Sequence, residues 1–205
     1  MRRTPDLERA ARAVALLLEA AGLDPASDPE LADTPKRVAR ALLHELLSGY
    51  DQDPAAILAE RTASRARGIV ALRDVDVVTT CPHHLMVATG TAHVAYAPGR
   101  YVVGLGALGR LLDCLSRRLV LQEDLAASVC KALVQHAHAR AAVCVLELRP
   151  GCVVARGERR HRARAVSIAW SGPAVNDPAV RADLLAAVGR PGAARRGATT
   201  RRGSA

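Results

Sequence analysis

Apolar residues recur every three to four positions at Leu7, Ala10, Ala11, Val14, Leu17, Leu18 and Ala21. That spacing predicts an amphipathic helix that ends near Gly22. Residues 24–33 are rich in Pro, Asp and Ser and read as a loop. Thr34-Pro35 has the form of an N-cap followed by proline at the first helical position, so a second helix is predicted from Pro35 to Leu47, stopped at Ser48-Gly49. Arg37 and Arg40 share one face of it, most simply a solvated one. The pattern then changes to strands. Ile69 to Val78 reads as one, with Asp74 and Asp76 on the same face. Val87 to Ala97 reads as the next, and Pro98-Gly99 turns the chain so that Tyr101 to Val103 continues a hairpin.

Helical spacing returns from Gly104 to Leu119, with Leu105, Leu108, Leu111, Leu112 and Leu115 on the buried side, and again from Gln122 to His138. Val143 to Leu148 is a strand, broken by Pro150-Gly151 and resumed at Cys152 to Ala155. Ala163 to Trp170 is the last strand, and residues 177–188 form a short helix. The order of elements predicts an α+β layout, with two helices on one face of an antiparallel sheet and an N-terminal helical extension. The expected divisions are 1–66 (helical), 67–175 (α+β domain), 176–189 (short helix) and 190–205 (a disordered basic tail).

Composition narrows this picture. With 205 residues, half of them hydrophobic, the chain can bury a large core without disulfides. Phe is absent and aromatics make up only 2%, so Leu, Val and Ala must fill that core. The net charge is +9, and the five arginines of residues 190–205 account for more than half of that excess. A second arginine cluster, at 156, 159, 160, 162 and 164, follows Cys152. A basic balance suits a polyanion. The scarcity of aromatic rings for base stacking argues against nucleic acid. No apolar run is long enough to span a membrane, and five cysteines without a leader segment fit a reducing, cytoplasmic setting.

The chemistry concentrates at Thr80-Cys81-Pro82-His83-His84. Cys81 and His84, three residues apart, offer a thiolate and an imidazole to one metal ion, for which zinc is the first expectation. Taken singly, each cysteine is better read as a small core residue. That reading is kept for Cys114, Cys130 and Cys144. His44, His93, His136 and His138 carry no motif and are read as chemically silent.

A wider pattern joins these pieces. Asp33-Thr34-Pro35-Lys36-Arg37-Val38-Ala39, Glu45-Leu46-Leu47-Ser48-Gly49-Tyr50, Cys81-Pro82-His83-His84, Val102-Val103-Gly104-Leu105, Arg110, Arg117-Arg118-Leu119, Gln122-Glu123 and Cys152 with Arg156-Gly157 follow one another in order. Together they resemble the GTP cyclohydrolase I family over roughly residues 7–188. The resemblance implies a tunnelling fold (T-fold), a homodecamer with sites at subunit interfaces, and Zn2+ held by Cys81, His84 and Cys152. It further implies His83 as a proton-transfer residue and Glu123 with Gln122 as the guanine-binding pair. Arg37, Arg40, Arg110 and Arg156 would then hold the triphosphate. The implied reaction is hydrolytic opening of the guanine imidazole ring of GTP at C8.

The chain departs from that family around the same pocket. Pro150 stands where the resemblance expects a histidine, and proline transfers no proton. Pro82 replaces an acidic or small polar residue, and Gly106 and Ala107 replace a Ser-Lys pair that touches phosphate. These departures predict a specialised paralogue that opens the ring and stops at the formamidopyrimidine. They also open the site to guanine nucleotides with fewer phosphates. The alternatives are the complete reaction, giving 7,8-dihydroneopterin triphosphate and formate, a T-fold deazaguanine enzyme, and a non-catalytic oligomer. Arg159, Arg160, Arg162 and Arg164 are read as a solvated or interface strand face.

Overall fold

A computed structural model describes residues 4–65 and 68–189. The predicted basic tail, 190–205, lies outside the described residues. Helix α1 spans Leu7–Ala20 and is capped by Asp6, whose carboxylate accepts the Arg9 backbone N–H. It pairs with α2, Thr34–Arg40, which runs on as a π-helical segment over Ala41–Leu46 and ends in a 3-10 turn, Ser48–Asp51. Gly49 is required there because the chain passes so close to the backbone at Cys114 that a Cβ would stand 2.2 Å from that residue's carbonyl oxygen. No residue of α1 is fully buried, and Leu16 and Leu17 remain 64% and 69% exposed. The apolar stripe read from the sequence is therefore only half covered within one chain.

Helix α3 is short, Pro54–Leu58, and leads into β1, Arg61–Ala63. The main sheet holds β2 (Val70–Thr80), β3 (Val87–Ala97), β5 (Ala141–Pro150) and β6 (Ala165–Ser171), all antiparallel in the order β2-β3-β5-β6. Helices α4 (Leu105–Ser116) and α5 (Gln122–Ala137) lie on one face. Their Leu108, Leu111, Leu112, Leu125 and Leu133 meet Val94, Tyr96, Cys144, Leu146 and Leu148 in one continuous core. The predicted two-helix layer is therefore present. Helix α7, Pro178–Val188, packs on the opposite face against Ala95, Ala97, Val143 and Val145. Burial on both faces explains why β5, and β3 from Val94 to Ala97, read as continuous apolar runs rather than alternating ones.

Four local expectations are corrected. Tyr101–Val103, β4, does not continue a hairpin with β3. It pairs with β1, and a side chain replaces the missing ladder: the Tyr96 hydroxyl accepts the Val103 N–H at 2.8 Å. Cys152 does not resume a strand. It lies in a single helical turn, α6 (Gly151–Val154), because Pro150 has no N–H with which to extend the ladder. Leu105 is 54% exposed, since it begins α4 outside the buried stripe. Asp74 leaves the regular alternation with Asp76: it sits in a β-bulge with φ 55° and donates its N–H to His93 Nδ1 at 3.3 Å.

Candidate metal centre

Strands β2 and β3 close with the pair Thr80–Val87, and the six residues between form a tight loop. Its neck is fixed by Cys81 N–H to the Met86 carbonyl and by Leu85 N–H to the Cys81 carbonyl, both at 2.9 Å. Pro82 suits the second position of such a turn, because its fixed φ is pre-set and no bond there needs its N–H. Leu85 takes a positive φ of 51° to bring the chain round. Pro82 is therefore compatible with the loop's two closing bonds. His83 and His84 both stand exposed on it, with ring centroids 6.2 Å apart in an edge-to-face arrangement.

The third member arrives from β5. The last rung of β3 with β5 joins Ala88 to Pro150, so the chain leaves the ladder beside the Cys81 loop. Gly151 makes this possible: a Cβ there would lie 2.5 Å from the Val87 carbonyl oxygen. One helical turn, closed by Ala155 N–H to the Gly151 carbonyl at 2.9 Å, then aims Cys152 at the loop. The ligand atoms of Cys81, His84 and Cys152 all lie within 4.8 Å of one another, with Cys81 Sγ 3.9 Å from His84 Nδ1. Two sulfurs and one nitrogen around a tetrahedral zinc ion would be about 3.5–3.8 Å apart. The set therefore fits such an ion after a small contraction. Three protein ligands also leave a fourth position open.

The start of α5 is tied to the same end of the sheet. Leu119 bridges Thr80, and the Val120 N–H donates to the Thr80 carbonyl at 3.3 Å. Gln122 Nε2 donates to the carbonyls of Leu146 and Ala165, at 3.2 and 3.0 Å, which pins the helix across β5 and β6. Glu123 follows in the first helical turn and is exposed. Sequence reading grouped Gln122 with Glu123 as binding residues. Its structural bonds were not legible, because both acceptors are backbone atoms distant in sequence.

The four arginines behave differently. Arg37 is ion-paired to Asp33 at 3.1 Å on α2. Arg40 is exposed at the end of the same helix. Arg110 projects from α4 onto Glu60, a carboxylate that the sequence did not single out. Arg156 is exposed just beyond α6. One chain thus gathers the three candidate metal-ligating residues, whereas the four arginines stand on α2, on α4 and just beyond α6. Arg159, Arg160, Arg162 and Arg164 lie on an exposed loop before β6 rather than on a strand face. A cleft of ≈ 330 Å³ between α1 and α2, lined by Leu7, Glu8, Ala11, Arg12 and Lys36, contains none of the predicted site residues.

The remaining cysteines are core residues, as read from the sequence. Cys114, Cys130 and Cys144 are buried. Burial pushes the Cys130 thiol up to about 12 and the fully buried Cys144 thiol well above its usual range. Burial also raises Cys114, partly offset by the Arg118 guanidinium beside it. None of the three is suited to give a thiolate at neutral pH.

The family model of GTP cyclohydrolase I matches residues 10–189. The chain belongs to the GTP cyclohydrolase I family. It is 38% identical over 185 residues to the GTP cyclohydrolase 1 of Corynebacterium aurimucosum, covering 89% of this chain and 93% of that one. It is 40% identical over 187 residues to the GTP cyclohydrolase 1 of Leifsonia xyli subsp. xyli, covering 90% and 96%. Among solved structures, an archaeosine synthase QueF-Like in the apo form overlaps 53% of this chain and 97% of its own at 17% identity, with a TM-score of 0.44. As a GTP cyclohydrolase I family member the chain is an enzyme of the hydrolase class with an α+β, tunnelling-fold subunit. Among the described residues no helix is long and apolar enough to cross a membrane.

Proposed function

We propose that this protein hydrolytically opens the imidazole ring of a guanine nucleotide at C8, using zinc held by Cys81, His84 and Cys152, and releases the formamidopyrimidine. The observation that carries the reading is the convergence of those three ligand atoms within 4.8 Å beside an exposed His83. Zinc there would supply Lewis acidity that brings deprotonation of water into the neutral range.

The chain's own residues would do the rest. His83, next to a ligand yet free of a ligand role, would carry a proton between water and the purine. Glu123 would accept the guanine N–H donors. Gln122, with its amide nitrogen already committed to two carbonyls, would have only its side-chain oxygen left to accept a third donor. Arg37, Arg40, Arg110 and Arg156 would hold phosphate through guanidinium forks, drawn from different copies of the chain. That division fits a cytoplasmic homo-oligomer, a decamer by family resemblance, with sites at subunit interfaces. The half-covered stripe of α1 supports such association.

The early stop rests on Pro150, which cannot serve the proton transfers that formamide hydrolysis and ribose rearrangement need, and on the missing cation at Ala107. A second reading is the complete reaction to 7,8-dihydroneopterin triphosphate and formate. The 38–40% identity to proteins named GTP cyclohydrolase 1 favours it. Product mass separates the two. A nucleotide heavier by one water, without formate, supports the early stop, whereas stoichiometric formate with a dihydropterin supports the complete reaction. Comparing GTP, GDP, GMP and guanosine establishes the number of phosphates required.

A further inference from the structure

We propose that His161 is a second proton-transfer residue of this site and serves the ring-opening step alone. The proposal rests on the ring-opening reading above. Opening the imidazole adds one water: a C8–O bond forms, the C8–N9 bond breaks, and C8 becomes a formyl carbon attached to N7. Both protons of the water finish on nitrogen, one on N7 and one on N9, with no change of oxidation state overall. The two nitrogens flank C8 on opposite sides. One imidazole, His83, would have to reload and change sides between the two transfers. A second proton carrier removes that requirement.

The backbone places His161 at the metal-ligand end of the sheet. After α6 the chain doubles back through Arg159, which takes a positive φ of 49°. The Arg160 N–H donates to the Val153 carbonyl at 3.1 Å, and Arg149 Nη2 donates to the His161 carbonyl at 2.9 Å. Those two contacts straddle Cys152, one on its C-terminal side and one on its N-terminal side. A turn from Ala163 N–H to the Arg160 carbonyl at 2.9 Å closes the loop. The His161 backbone is thus anchored while its side chain stays exposed, with no hydrogen bond to the ring among the described residues.

The other histidines outside the Cys81 loop are less suited. His93 is buried in mid-sheet, with Nδ1 taken by the Asp74 N–H and Nε2 3.9 Å from Glu147. His136 and His138 lie at the C-terminal end of α5, away from the end that bridges Thr80, and His44 belongs to the π-helical segment. Arg149 from β5 contacts His161 through its carbonyl, and the charged neighbours along the loop are Arg156, Glu158, Arg159, Arg160, Arg162 and Arg164, with Glu158 3.5 Å from Arg160.

The test compares the zinc-loaded full chain with H161Q and H161A, following GTP consumption against pH and measuring zinc per chain. Both variants should keep wild-type zinc content and KM, while kcat falls by about 10²-fold or more. One limb of the pH profile should disappear, and added imidazole should partly restore H161A. Wild-type kcat with an unchanged pH profile in H161Q overturns the role of His161 and leaves ring opening standing. Loss of zinc in both variants also overturns it, because the residue would then be structural. A wild-type protein inert towards GTP, GDP, GMP and guanosine overturns the ring-opening reading and this proposal together.

Discussion

The candidate metal-ligating residues and the arginines are opposite kinds of site. Cys81, His84 and Cys152 converge within one chain, although 68 to 71 residues separate Cys152 from the other two. They meet because β3 is hydrogen-bonded to both β2 and β5, so the two strand ends that carry them are neighbours. Arg37, Arg40, Arg110 and Arg156 have no such scaffold in common. They stand on α2, α4 and a loop, and two of them already face carboxylates. A ladder can place ligands to within a fraction of an ångström. Long cations on separate elements stay available to whatever surface a neighbouring copy presents.

The sharpest way to break the contrast is Cys152→Ala. It removes one ligand of three, and the expected result is loss of stoichiometric zinc and of turnover, with the fold retained. Zinc content and circular dichroism together check this. His83→Gln should keep the metal but slow turnover by about 10²–10⁴-fold, read as kcat against KM.

On the arginine side the effects should be small. Glu60→Gln frees Arg110 from an exposed pair worth about 0.2–1 kcal/mol. It should therefore lower KM for GTP by about 1.5- to 5-fold and leave kcat and zinc content alone. A drop in zinc content would mean that the two regions are coupled within one chain.

The core thiols are buried, unlike Cys81 and Cys152, which are only partly so. Cys130 is raised from an ordinary value of 9.0 to about 12 by burial. The folded state thus holds the proton more tightly than the unfolded state does. The associated stability is complete below pH 9.0 and falls as pH rises towards about 12. Urea midpoints should therefore decline across that window, and less steeply in C130A than in the parent. Equal slopes would show that the thiol is not held neutral by burial.

Much of the fold was legible because the patterns were strong. Val87–Ala97 has the bounds that its run of small and β-branched residues predicts, and the leucine spacing from Leu108 to Leu115 marks the buried side of α4. The Cys-x-x-His pair was legible as well, because proximity in sequence guarantees proximity in space. The errors fell where a side chain or a missing donor decides the outcome. Tyr96 holds β4 through its hydroxyl, and Pro150 turns a predicted strand into the helical turn that aims Cys152. Glu60 and the anchoring of His161 depend on contacts between distant segments, and no local periodicity encodes those.

The most direct test is product identification after incubating the zinc-loaded protein with GTP. The expected product is a nucleotide one water heavier than GTP that retains its formyl carbon, with no free formate. Inertness towards GTP, GDP, GMP and guanosine alike, or a dihydropterin triphosphate with one formate per turnover, would contradict it.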